Sequence, residues 1–216
     1  MPSSKILALL TYLLSCLAPT AVLAQQALEA KLVRELSHCD RSFFVALAGD
    51  LYEVSRLGNV EIHRDFAYFK VPNRRIPAQS MVRFHEPLVL DRLEIVGYFD
   101  DIVDVNARTS LVSWGFLVRS NVRDAAAALR PYIWDSDRLR LDDGIYVRSE
   151  VWTEAHPELE WQKLVTEAGE PKPGTMERVL LIEPSGDSAG LVRVGCSLQG
   201  SVTSEMVQSL RPDLVE

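Results

Sequence analysis

Basic clusters are missing from this chain. Its 23 lysines and arginines are outnumbered by 30 aspartates and glutamates, and nowhere do they gather into a patch able to neutralise phosphates, which argues against a nucleic-acid partner. Nor is there a Gly-x-Ser-x-Gly elbow, a phosphate-binding loop or a dinucleotide fingerprint. The four histidines, His38, His63, His85 and His156, form no pair at ligand spacing and have no cysteine pair beside them, so neither a metal ion nor a cofactor is expected. Asp100, Asp101 and Asp104, like Asp135, Asp137, Asp142 and Asp143, lack the spacing and central glycine of an EF-hand loop and read as acidic turns.

Long apolar runs are scarce as well. One occurs, "ILALLTYLLSCLAPTAVLA", preceded by Lys5 and closed by Val22-Leu23-Ala24 before the polar Gln25-Gln26. That pattern predicts a secretory signal peptide over residues 1–24. Thr11, Ser15, Pro19 and Thr20 interrupt the run and argue against a membrane anchor. Leu13-Leu14-Ser15-Cys16 forms a loose lipobox, so a lipid anchor at Cys16, in an outer-membrane lipoprotein, is the minority alternative. The expected location is the periplasm, with secretion as another outcome and no membrane span after signal removal. Residues 25–216 are the size of one domain, and the chain is apolar enough to fill its core.

Cysteine is also sparse: beyond Cys16 only Cys39 and Cys196 occur. In "GLVRVGCSLQG", strand alternation puts Val192, Val194, Cys196 and Leu198 on one face and Arg193, Gly195, Ser197 and Gln199 on the other. Cys39 belongs to an apolar stripe, Leu28, Leu32, Leu36, Cys39, Phe43, Leu47, Leu51 and Val54, which predicts one long amphipathic helix from Ala27 to about Leu57, kinked near His38 and stopped by Gly58-Asn59. Both sulfurs therefore face the core, and a Cys39–Cys196 disulfide is expected in an oxidising compartment. Closing so long a loop is worth up to roughly 5 kcal/mol in the chain-entropy treatment. A nucleophilic Cys39 with His38, His63 or His85 as base would need an electropositive, partly exposed setting, which its aliphatic and aromatic neighbours do not provide.

The remaining pattern predicts an α+β fold. Strand-like segments open at Phe66, Ser80, Arg92 and Leu111 and are followed by an alanine-rich helix over about 122–130; a second series opens at Arg138, Ile145, Arg178 and Leu191, with a final helix over about 203–210. The polar stretch between Thr153 and Thr175 reads as an inserted excursion. Both halves contain, in order, Val-Arg then Glu (Val82-Arg83 and Glu86; Val147-Arg148 and Glu150), an acid-Arg pair (Asp91-Arg92; Glu177-Arg178), a mid-strand glycine (Gly115; Gly195) and Leu-Arg-Pro (Leu129 to Pro131; Leu210 to Pro212). The expectation is an internal duplication of a four-stranded antiparallel meander plus helix, with halves 60–133 and 137–214, preceded by the long N-terminal helix.

This order of helices and strands resembles, in architecture alone, duplicated α+β ligand domains of the GyrI-like and SOUL-type haem-binding groups, and "RIPAQSMVRF" from Arg75 is similar to a strand opening of the former. No functional residue is carried over from either.

If Gly115 and Gly195 correspond, the sheet face away from the core carries Arg83, His85, Gly97, Ser113 and Gly115 from one half, with Arg148, Glu150, Trp152, Arg193, Gly195 and Ser197 from the other. Glycines allow a partner to approach closely and arginines suit carboxylates or phosphates. A concave binding groove follows, with Arg83, His85, Trp152, Arg148, Glu150 and Arg193 as candidate ligand-binding residues. The function expected is non-catalytic binding of an unknown ligand or protein partner in the bacterial envelope. The alternatives are a hydrolase, favoured if His85 and Glu150 converge in a deep pocket, and a protein inhibitor of a secreted enzyme.

Overall fold

The computed structural model describes residues 28–106, 109–157, 160–164, 171–186, 189–201 and 203–214; the predicted signal peptide and Cys16 lie outside them. Residues 28–36 form helix α1, followed by α2 (Ser42–Gly49) and α3 (Leu51–Leu57). A hairpin of β1 (Val60–His63) and β2 (Phe66–Phe69) comes next, then β3 (Met81–Leu90), β4 (Leu93–Asn106), β5 (Thr109–Arg119) and α4 (Val122–Leu129). The chain continues through β6 (Arg140–Asp142), β7 (Ile145–Thr153), β8 (Thr175–Pro184), β9 (Leu191–Gly200) and α5 (Ser204–Leu210). The class is α+β: one antiparallel sheet of seven strands in the order β3-β4-β5-β9-β8-β7-β6, and a separate two-stranded sheet β1-β2.

The opening stripe is buried as its period requires, with Leu32, Leu36, Phe43, Leu47 and Val54 all closed to solvent, but it does not run along one axis. Instead of the one helix over 27–57, kinked near His38, the described residues form three short helices, the first break falling over 37–41 where the kink is expected. Cys39 adopts a left-handed backbone (φ 56°) that ends the first turn of the path, and the Ser42 amide then donates to Asp40 Oδ1 at 2.8 Å, starting α2 afresh. A non-glycine residue in that conformation is costly, and here the sulfur of Cys39 is bonded to Cys196 on the central strand β9. Periodicity survives such a break because it reports burial, not continuity of the helix axis.

The core lies between these helices and one sheet face. Val112, Trp114, Phe116 and Val118 of β5 stand beside Leu198, Cys196, Val194 and Val192 of β9, paired in that order, and all are buried. Phe43 packs edge-on to Phe116 at 5.6 Å between ring centres, and Phe69 from the hairpin meets Tyr98 at 5.2 Å. Such rings supply much of the apolar area a small domain can bury. The hairpin is a departure from expectation: "FAYFKV" was expected to head the first meander, yet β2 leaves the large sheet to pair with β1 (Val60↔Phe69, His63↔Phe66) and packs on α2. The helices α4 and α5 are capped alike, Asn121 Oδ1 accepting from the Asp124 amide at 2.9 Å and Thr203 Oγ1 from the Met206 amide at 3.3 Å. Among the described residues no helix is long and apolar enough to cross a membrane.

Candidate functional site

Strand register decides which of the predicted residues meet. Arg83 pairs with Gly97, Gly97 with Leu117 and Leu117 with Arg193, so Arg83 and Arg193 do share the face away from the helices. Arg148 is different: it pairs with Leu180, which pairs with Cys196. The alternate residues Arg148, Glu150 and Trp152 therefore point to the helix-covered face, and the expected grouping of these three with Arg193 is not formed. Arg83 and Arg148 thus differ in phase by one residue along their strands, and one residue reverses every side chain of a strand.

The buried three have structural work instead. Arg148 is closed to solvent and donates to the backbone carbonyls of Ser37 and Trp134, tying the α1–α2 turn to the segment after α4. Its guanidinium also lies 4.9 Å from the Trp134 ring centre, on which His38 stacks at 4.8 Å. Burial lowers its pKa to about 10, so it remains charged at neutral pH. Glu150 accepts from Arg178 Nε at 2.7 Å, and Trp152 packs against the core. His85 is exposed on the edge strand β3, on the far side of the sheet from β7. It and Glu150 do not converge, so the pair whose meeting would favour a hydrolase is not assembled.

On the helix-free face the glycines carry a specific load. Gly115 and Gly195 are direct partners across β5 and β9. A Cβ on Gly195 would stand 2.7 Å from Phe99 Cζ. The close approach that glycines permit is thus occupied by a side chain of the same protein. Phe99, with Leu117 and Val96, forms a small buried apolar strip flanked by Met81 and Leu191. Over it the Arg193 guanidinium stacks at 3.8 Å from the ring centre and donates to Asp101 Oδ2 at 2.6 Å, while its Nε lies 3.9 Å from Glu183. Burial raises the pKa of both Asp101 and Glu183, against the pull of Arg193. Beside this cluster is a cleft of about 160 Å³ between the face and the 74–80 segment, with Met81, Phe99, Leu117, Asp101 and Arg193 in its walls. Arg83 borders a second, shallower depression with Pro87, Val96, Arg119 and Leu191. His/Cys/Asp/Glu groups able to hold a metal ion do not occur among the described residues.

No family model, curated protein or solved structure matches this chain.

The most elaborate polar cluster was not foreseen from sequence. Arg211, fully buried, donates to both oxygens of Asp100 at 2.9 Å and to Asp213 at 2.8 Å, and Arg74 bridges the same two carboxylates at 2.8 and 2.7 Å. Its guanidinium lies 4.6 Å from the Trp114 ring centre. A signal did exist: Arg211 is the arginine of the second Leu-Arg-Pro. In the first, Arg130 likewise pins the chain beyond its helix, donating to the carbonyls of Ser136 and Leu139 at 2.7 and 3.1 Å. Asp101, Glu183 and Phe99 were also missed as site residues, because only the three-dimensional pairing of β4, β8 and β9 brings them to Arg193.

Proposed function

We propose that this protein is an exported, non-catalytic binding module of the bacterial envelope, and that its contact surface is the sheet face away from the helices. The observation that carries this reading is the cleft on that face, walled by apolar side chains and by an arginine held between two carboxylates. Apolar walls with a few placed polar groups are the usual composition of a ligand site. The Cys39–Cys196 disulfide is in keeping with the expected periplasmic location and signal peptide.

We further propose that the halves 60–133 and 137–214 arose by duplication. Supporting it are the pairing of Gly115 with Gly195 at the centre of the sheet, the like-capped helices α4 and α5, and the two chain-pinning arginines Arg130 and Arg211. The divergent element is the leading strand, β2 in a separate hairpin against β6 in the sheet.

The binding face is tested with a photo-crosslinking residue placed singly at Arg83, on the helix-free face, or at Tyr52, 78% exposed on α3, in the protein expressed in its own envelope. Discrete adducts at position 83 and not at 52 are expected. Adducts only at 52, or none at 83, overturn the assignment.

A further inference from the structure

The geometry points to a ligand class for the cleft: a compact monocarboxylate with an apolar body, its carboxylate received by the Arg193 guanidinium. This rests on the binding-module reading and deepens it. Size comes first. The cleft measures about 160 Å³, and a cavity of roughly 150 Å³ in an apolar core accepts benzene. A six- or seven-carbon body is of matching size.

Charge sets the second constraint. Three arginines, Arg74, Arg75 and Arg193, line the cleft against one carboxylate, Asp101. The partners that neutralise the first two, Asp100 and Asp213 for Arg74 and Asp104 for Arg75, stand outside the lining. Each of the three is ion-paired, so a ligand carboxylate enters by sharing Arg193 with Asp101 and Glu183, not by meeting an unneutralised charge. Apolar contact comes from Met81, Phe99 and Leu117, which reward a hydrocarbon body and not a bare inorganic ion.

The third consideration is an available donor. The Arg193 side chain is 26% exposed in the cleft wall, while its buried Nε, 3.9 Å from Glu183, makes no hydrogen bond. A carboxylate oxygen that meets the exposed part of the guanidinium gains a charge-assisted bond. The stacking of Arg193 on Phe99, itself seated over Gly195, fixes the plane of the guanidinium before any ligand arrives.

The site's own carboxylates make the affinity pH-dependent. Asp101 faces Arg193, its neighbour Asp100 and the Ser113 hydroxyl; Glu183 faces Arg193 and Asp101; Arg74 and Arg75 look in from the 74–80 segment. Both carboxyls are raised by burial, so they take up protons nearer to neutrality than ordinary carboxylates. Once protonated they cease to compete for Arg193, and a ligand that stays ionised in that range gains the whole guanidinium. Affinity for a carboxylate therefore rises as the pH falls.

The test uses three probes of one shape on the oxidised protein: benzoate, benzyl alcohol and benzylamine, titrated while the methyl resonances of Met81 and Leu117 and the amide of Arg193 are followed by NMR. Benzoate is expected to give saturable shifts at these positions, benzyl alcohol to bind about tenfold more weakly, corresponding to one charge-assisted bond, and benzylamine not to bind. Lowering the pH should tighten benzoate and leave benzyl alcohol unchanged. Arg193→Met should abolish the benzoate advantage; should that variant not fold, Arg193→Lys, which keeps the charge but not the planar fork, should reduce it. Benzylamine preferred over benzoate at the cleft overturns the ligand class while leaving the binding-face reading intact. Equal binding of all three, or benzoate affinity that falls with acidification, overturns it as well. No shift at the cleft with any probe overturns the cleft as the site and removes the observation on which the binding-module reading stands.

Discussion

Gly195 and Phe99 fit together on the helix-free face so that the ring of one occupies the space a side chain on the other would need: an added Cβ would come within 2.7 Å of Phe99 Cζ. The same Cβ would be closer still to the Trp114 carbonyl oxygen and 2.9 Å from the Gly115 Cα. The ring could turn, but the paired backbone could not without opening the β5–β9 ladder. Gly195→Ala should therefore destabilise by about 3 kcal/mol or more. The control is Gly58→Ala, where nothing lies within 4 Å. That substitution should change stability by less than about 1 kcal/mol. Urea unfolding of both variants decides it; equal midpoints would mean that the glycine pair is not a packing requirement.

Cys39 offers a separation of two effects that usually travel together. It is half of the disulfide, and it holds a left-handed backbone that glycine adopts at no steric cost. In a Cys196→Ala background, which has no bond to lose, Cys39→Gly should be more stable than Cys39→Ala by about 1 kcal/mol. The reverse order in chemical denaturation would show that the turn relaxes once the bond is gone, and that the left-handed conformation is a consequence of the disulfide and not of the packing around it.

How much of this was legible follows from the range of each interaction. The β9 alternation and the α1–α3 stripe are read from neighbours in sequence, so the core face and the cysteine pairing came out of the chain correctly. The phase of β7 did not, because Arg148 and Arg83 look alike locally and only pairing with Leu180 sets which face Arg148 occupies. A long aliphatic stem lets arginine serve on either face. The break at Cys39 falls where a kink near His38 is expected, but that the chain leaves the helix there altogether, like the departure of β2 into its own hairpin, is a tertiary choice without a local signature. The Arg74–Asp213 contact joins residues 139 positions apart; no spacing rule reaches that far.

Arg148 tests the corrected placement directly. Arg148→Met removes a buried cation that holds the Ser37 and Trp134 carbonyls, and leaves those acceptors without their donor. A loss of about 2–4 kcal/mol in stability is expected, with benzoate binding at the Arg193 cleft unaltered below the new unfolding transition. Arg83→Ala, at an exposed position, should alter stability by less than about 0.5 kcal/mol. If Arg148→Met instead spared stability and abolished ligand binding, Arg148 would belong to the site after all.

The Arg211 cluster sets the acid limit of the fold. Burial by itself would raise the pKa of Asp213, but Arg211 and then Arg74 outweigh it and hold the carboxyl below its ordinary value. A carboxyl lowered in the native state contributes stability that is complete above its unfolded value, roughly pH 4, and is lost as the pH falls through the native value. Stability should thus decline on the acid side of about pH 4, and Asp213→Asn should flatten that decline while lowering the plateau near neutrality. Asp100→Asn should likewise cost about 3–5 kcal/mol, because Asp100, like Asp213, accepts from both arginines with its side chain closed to solvent. The discriminating variant is Arg211→Met, which leaves two buried carboxylates sharing the one guanidinium of Arg74. Two buried negative charges then face one positive charge, and uptake of a proton relieves the imbalance, so this variant should become relatively more stable as the pH falls from 7 to 5, the opposite of the wild type's acid response. Urea midpoints measured across that range read the sign directly, and a parallel pH dependence in the two proteins would remove the cluster from any part in the acid limit.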